Sequence, residues 1–157
     1  MKPRVYLETT IPSYLTAWTS RELVMSAHQQ VTRDWWQTRR QDFEIYISQY
    51  VIDEASAGDP DAARRRLEFL TDLPLLDSND DVLELAEELI RRIPLPPRAA
   101  VDAFHIAIAA VNEIQFLLTW NCTHIANAEL REIIESICRE FGYHPPVICT
   151  PEELLKE

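Results

Sequence analysis

Five short runs of β-branched, aromatic and aliphatic residues recur along the chain: Val5 to Thr9, Glu44 to Ser48, Pro74 to Leu76, Phe116 to Trp120 and Val147 to Thr150. Their length and residue types predict five strands, the first ended by Pro12. Between them, apolar residues return at helical spacing. Val24, Ala27, Val31 and Trp35 mark a first long helix, with Thr19 and Glu22 spaced as a capping box at its start. Ala63, Leu67 and Leu70 mark a second, opened by Asp59 as N-cap and Pro60 at the first helical position, where the missing N–H costs nothing. Val82, Leu85, Ala86 and Leu89 define a helix stopped before Pro94, and Pro96 and Pro97 open another that runs to about Asn112. Leu130, Ile133, Ile134, Ile137 and Phe141 define the last long helix, closed by Gly142 as a left-handed cap. Thr150, Pro151 and Glu153 begin a short terminal one.

Strands alternating with helices over this length predict an α/β fold, a three-layer α/β/α sandwich with a five-stranded, mostly parallel sheet. No repeat, linker or low-complexity tract divides residues 1–157, so one domain is expected. In open α/β sheets the ligand site lies beyond the C-terminal ends of the strands, and Glu8 and Asn121 both fall at such ends.

Composition narrows the function classes. The two glycines, Gly58 and Gly142, cannot build a glycine-rich dinucleotide loop, and the absence of GKS or GKT excludes a P-loop. Glu8 interrupts the apolar run a secretory signal would need, and no stretch reaches the ~18 apolar residues of a membrane span, so a cytoplasmic protein without membrane contact is expected. Cys122, Cys138 and Cys149 lack CxxC spacing and suit reduced thiols; Cys122 with His124 would be too few ligands for a metal site. With 15 Lys and Arg against 26 Asp and Glu, the net charge is −11. Such a surface repels nucleic acid in bulk, so a polynucleotide substrate would need local basic patches or metal ions where it meets the protein.

The segment Ala99 to Val111 is apolar except for Asp102 and His105. A carboxylate in a helix buried nearly all round must be protonated, paired or bound to a metal, and hydrogen bonds from His105 or a helix N-terminus would serve as well as a cation. His105 reads as a buried hydrogen-bonding residue rather than a ligand. Glu8, in VYLETT, can point into the crevice or be a solvated strand end. Glu54 follows the second strand with Asp53 beside it, and the residues alone do not separate the two. Asn121 ends the fourth strand as a turn residue or as a neutral oxygen ligand. Convergence of these positions on one sheet edge would crowd carboxylates together, which makes sense mainly around Mg²⁺ or Mn²⁺.

VYLETTIPSYL, VIDEASAGD, AVDAFHIAIA and FLLTWNCTHIANA, in this order and spacing, resemble the PIN-domain family and in particular its VapC-like toxins of type II toxin–antitoxin pairs. The resemblance spans about Val5 to Thr150. It implies a five-stranded parallel sheet, an acidic cluster holding divalent metal, and hydrolysis of RNA, with an antitoxin protein and a second copy of the chain as partners. By motif, Glu8, Glu54 and Asp102 are the implied metal ligands, with Asn121 the fourth site position. Two departures stand out. Glu8 is one methylene longer than the family's usual Asp, and Asn121 replaces a residue that is often acidic. They motivate an alternative, a catalytically weakened PIN-like module that acts by binding a partner protein or RNA.

Arg64, Arg65 and Arg66, with Arg91, Arg92 and Arg98, are candidates for RNA backbone contact, although such runs also serve as solvated helix faces. Thr9, Thr10 and Ser13 can bond site waters or cap the next helix. Trp18, Trp35 and Trp36 suit either a groove for a partner helix or the core. A phosphoacceptor receiver domain is disfavoured because the only lysines, Lys2 and Lys156, are terminal. No serine or cysteine nucleophile with a paired histidine is evident.

Overall fold

In the computed structural model, which describes residues 1–156, four strands form one parallel sheet: β1 (Arg4–Leu7), β2 (Glu44–Tyr46), β3 (Phe116–Leu118) and β4 (Val147–Cys149), in the order β2-β1-β3-β4. The helices are α1 (Thr10–Thr16), α2 (Leu23–Arg39), α3 (Gln49–Ala55), α4 (Pro60–Leu70), α5 (Asp80–Arg92), α6 (Ala100–Val111) and α7 (Ala128–Glu140), with short 3-10 turns at Arg40–Asp42, Pro97–Ala99 and Pro151–Leu154. Val5, Tyr6 and Leu7 are consecutive and all fully buried, so both faces of β1 are covered, as a parallel sheet requires. α1 packs with α2 and α4, while α5 packs with α6 and α7. Buried residues from the sheet and the helices join in one hydrophobic cluster that includes Tyr6, Trp35, Leu85, Ile106 and Leu118.

The sheet has four strands among the described residues, not the five expected. Pro74 to Leu76 makes a single parallel bridge, Ile47 to Leu75, through Ile47 N–H to Pro74 O at 3.0 Å and Leu76 N–H to Ile47 O at 2.8 Å. Pro74 has no N–H to extend the ladder, and Leu75 is half-exposed, so burial does not compensate for further pairing. The expected capping box of Thr19 and Glu22 also fails to form, because α2 starts one residue after Glu22 and Glu22 makes no side-chain cap. The buried Gln29 decides this turn instead: its Oε1 accepts from Ser20 N–H at 2.9 Å and its Nε2 donates to Trp18 O at 3.2 Å. Of Trp18, Trp35 and Trp36, Trp35 is core and Trp36 packs against it, whereas Trp18 is exposed under the Arg65 guanidinium.

Other local signals form as read. Asp59 caps α4 by accepting from Ala62 N–H, Gly142 takes a positive φ of 86° after α7, and Thr150 leads into the short terminal turn, its N–H donating to Glu153 Oε2 at 2.7 Å. Asn79 caps α5 by accepting from Val82 N–H at 3.1 Å, ahead of Asp80 and Asp81 and with Arg91 and Arg92 in the last turn, charges that complement the helix dipole. Because α5 lays Val82, Leu85, Ala86 and Leu89 on α6, Asn79→Ala is expected to cost ~1 kcal/mol. Thermal unfolding should show a midpoint lower by about 2–4 °C.

The topology places the functional crevice. From β1 the chain moves to one side to form β2, then crosses back to the other side for β3, so the connection reverses between β1 and β3. A crevice opens at such a reversal beyond the strands' C-terminal ends. Glu8 directly follows β1 and Thr119 directly follows β3, and Glu8 N–H continues the ladder to Leu118 O at 3.0 Å.

Candidate metal centre

Glu8 is buried at the mouth of this crevice, and its Oε1 collects three donors: Thr10 Oγ1 at 2.5 Å, Thr119 Oγ1 at 2.6 Å and Thr10 N–H at 3.2 Å. Thr10 opens α1 and Thr119 ends the β3 ladder, so the start of a helix and the tip of a strand clamp the same oxygen. Burial raises the Glu8 pKa, with His105 and the threonine hydrogen bonds opposing it in part.

Glu54 arrives from the last turn of α3. Its Oε1 accepts from Thr9 Oγ1 at 2.6 Å and from His105 Nε2 at 2.5 Å. Burial works to raise its pKa, but the His105 interaction and the Thr9 hydrogen bond outweigh burial and hold it below the usual carboxylate range. Ligand atoms of Glu8, Glu54 and His105 lie within 4.8 Å of one another. His105 is fully buried in α6, and its Nδ1 is 2.6 Å from the Tyr6 hydroxyl, itself 2.7 Å from Ser48 Oγ. Burial pushes the Tyr6 pKa well above its ordinary value, which keeps the hydroxyl protonated.

Asp102, one helical turn before His105, lies outside that trio. Its Oδ2 is 3.0 Å from His124 Nδ1, and burial raises its pKa against the opposing influence of His105, the Asn121 amide and His124. Asn121 Oδ1 accepts from His124 N–H at 3.0 Å, and Asn121 N–H donates to Thr119 Oγ1 at 2.9 Å. Asn121 therefore organises the loop that sets His124 against Asp102. Cys122 is exposed and takes no part in a metal group among the described residues, whereas Cys138 and Cys149 are buried free thiols.

The donor set suits a hard divalent cation. Glu8 and Glu54 each have Oε1 anchored by hydroxyl, amide or imidazole donors, while neither Oε2 accepts a hydrogen bond among the described residues. One oxygen of each carboxylate is thus held and the other left for a ligand. His105 has both ring nitrogens engaged, which sets it behind Glu54 as a hydrogen-bonding residue and leaves the carboxylates to face a cation.

The arginines divide. Arg64 and Arg65 both pair with Asp61 on their own helix, and Arg65 also donates to Thr16 O. Arg66 donates to Ala55 O and Ala57 O, and Arg91 and Arg92 pair with Glu88 and Glu140. Arg98 is exposed in the turn that leads into α6, one turn from Asp102, and forms no ion pair among the described residues. The roles of Tyr6, Ser48, Thr119 and His124 around the carboxylates were not visible in the chain. The threonine and asparagine of LLTWN beside a strand end carry the only local hint. A cavity of about 490 Å³ lined by Glu113, Ile114, Phe116, Tyr143, Pro145 and Val147 lies at the opposite, N-terminal end of β3 and β4, away from the strand ends that carry Glu8 and Asn121.

No family model and no curated protein matches the chain. Among solved structures it is similar to a chain of the crystal structure of VapBC2 from Rickettsia felis bound to a DNA fragment from their promoter. The TM-score is 0.59 at 16% identity, over 93% of this chain and 97% of that one. At that identity the likeness shows a shared fold, an α/β architecture on a parallel sheet.

Proposed function

We propose that the protein is a divalent-metal-dependent endoribonuclease, the toxin of a VapBC-like toxin–antitoxin pair. The observation that carries this reading is the meeting of Glu8 and Glu54, 46 residues apart, at the reversal point of a parallel sheet with an unbonded oxygen on each. Likeness to a chain of VapBC2 supports the toxin–antitoxin assignment and an antitoxin protein as partner; a second copy of the chain completes the proposed assembly. Glu8, Glu54 and Asp102 would hold Mg²⁺ or Mn²⁺, and Asn121 would orient the loop beside them. A bound cation supplies stabilisation of charge on the phosphate and lowers the pKa of water. An adjacent carboxylate of the cluster would take the proton that the water gives up. Arg98, rather than the internally paired Arg64 and Arg65, would meet the RNA backbone.

The test is cleavage of a mixed cellular RNA pool with Mn²⁺, Mg²⁺ or EDTA. Wild type is expected to cleave with either cation and not with EDTA, and Asp102→Asn purified in the same way to lose at least ~10²-fold. Folded wild type that leaves the pool intact under every metal would remove the nuclease reading. The weight would then pass to a partner-binding module, which the burial and raised pKa of Glu8 favour by weakening it as a ligand.

A further inference from the structure

α3 has only seven residues, too few to hold a side chain in place by its own stability. Both of its ends are tied to one buried polar chain. Ser48, its N-cap, meets the Tyr6 hydroxyl of β1 at 2.7 Å; that hydroxyl meets His105 Nδ1 of α6 at 2.6 Å; and His105 Nε2 meets Glu54 Oε1, in the last turn of α3, at 2.5 Å. Tyr6, Ser48 and His105 are all fully buried. Polar groups placed so deep are costly unless each is bonded, and apolar residues of similar volume would fill the same space without that demand. α6 is otherwise built from alanine, isoleucine, valine and phenylalanine around Asp102 and His105, so the imidazole is there for its partners rather than for packing.

Glu54 is the partner that gains. Its side chain is 32% exposed and free to change rotamer unless held. We propose that His105 is a positioning residue: oriented by Tyr6 and Ser48, its Nε2–H holds Glu54 Oε1 so that Oε2 faces the cation, and cation affinity depends on that donor. The inference rests on the metal-dependent reading above. The geometry gives each ring nitrogen a separate task. Because Glu54 is an ionised acceptor, Nε2 donates to it, while the contact of Nδ1 with Tyr6 fixes the rotation of the ring.

Two substitutions separate those tasks. In His105→Gln the amide nitrogen reaches the place of Nε2 and keeps the donor to Glu54. In His105→Asn the shorter amide stays near Tyr6 and the donor is lost. Binding of Mn²⁺ alone, read from the paramagnetic resonance of free Mn²⁺, is expected to weaken at least ~10-fold in His105→Asn and to stay within about threefold of wild type in His105→Gln. Glu54→Gln serves as the control that the signal reports this site. Unchanged Mn²⁺ affinity in His105→Asn, with only a lower melting temperature, would overturn the proposal while leaving the metal-dependent reading in place. Equal weakening in both variants would also overturn it, since the retained donor would then count for nothing. Folded wild type that binds no Mn²⁺ at millimolar concentration would overturn both. Should His105→Asn fail to fold, nitrogen NMR of wild-type His105 decides. A proton on Nε2 whose resonance moves on Mg²⁺ titration supports the proposal, and one that does not move refutes it.

Discussion

Glu54→Gln should abolish metal-dependent RNA cleavage, by at least ~10²-fold, while leaving the melting temperature within a few degrees of wild type. The amide's carbonyl oxygen can still accept from Thr9 Oγ1 and His105 Nε2, so the side chain stays where the carboxylate was. Its other end becomes an NH₂ group, which cannot ligate a cation and carries no charge. The loss therefore falls on the chemistry rather than the fold, and kcat with Mn²⁺ is the quantity to measure. Retained cleavage would remove Glu54 from the site.

The same variant changes how stability responds to acid. The Glu54 pKa lies below its ordinary value because His105 and Thr9 outweigh burial, so the folded state gains from its ionised form above the ordinary carboxylate pKa and loses that gain as pH falls through the lowered one. Partial exposure keeps the contribution small. Glu54→Gln lacks it and should show a slightly flatter decline in melting temperature as pH falls through and below the ordinary carboxylate range.

Glu8→Gln is expected to act in the opposite sense on the metal-free protein. Burial raises the Glu8 pKa, so the favourable contribution of the protonated group is complete below the ordinary carboxylate pKa and is lost as pH rises through the raised value. Once pH exceeds that raised value, the metal-free fold carries a buried charge beside Glu54. A glutamine keeps an oxygen for Thr10 and Thr119 but removes that charge, and should raise stability by ~1 kcal/mol, or about 2–4 °C in melting temperature. The gap between the variant and wild type should close as pH falls below the ordinary carboxylate range and widen as pH rises through the raised Glu8 value.

Adding cation should reverse the order. Wild type gains about 2.7 kcal/mol when free cation reaches 100 times its dissociation constant, and the variant, with a ligand and a charge missing, gains far less. Scanning fluorimetry of both proteins with EDTA and with Mg²⁺ reads all of this at once. A variant less stable than wild type in EDTA would show that Thr10 and Thr119 hold an anion the fold needs rather than one it tolerates for a ligand.

The parts of the fold legible in the chain are those that local chemistry decides. Asp59 before Pro60 and Gly142 after a helical run each solve a helix-end problem within a few residues, where tertiary contacts have little to add. The nearly unbroken apolar helix around Asp102 likewise announces burial, and Asp102 is buried. Local spacing misleads where a distant partner offers more: Gln29 takes Ser20 and Trp18 and leaves Thr19 without a capping role, and Pro74 lets the expected fifth strand pair only once.

The candidate site divides along the same line. Position by itself demands a physical reason only for Asp102, a carboxylate in a nearly unbroken apolar helix; Glu8, Glu54 and Asn121 are singled out by the resemblance of their motifs to the PIN-domain family. Which of them meet, and through what, depends on groups far apart in sequence. Thr119 reaches Glu8 across 111 residues, His105 reaches Glu54 across 51, and Asp102 turns to His124 instead of to the other two carboxylates. A hydrogen bond forms or fails within a few tenths of an ångström, and only the packing of β1, α3 and α6 against one another sets distances that fine; hydrophobic periodicity, which averages over whole helix faces, carries no such information.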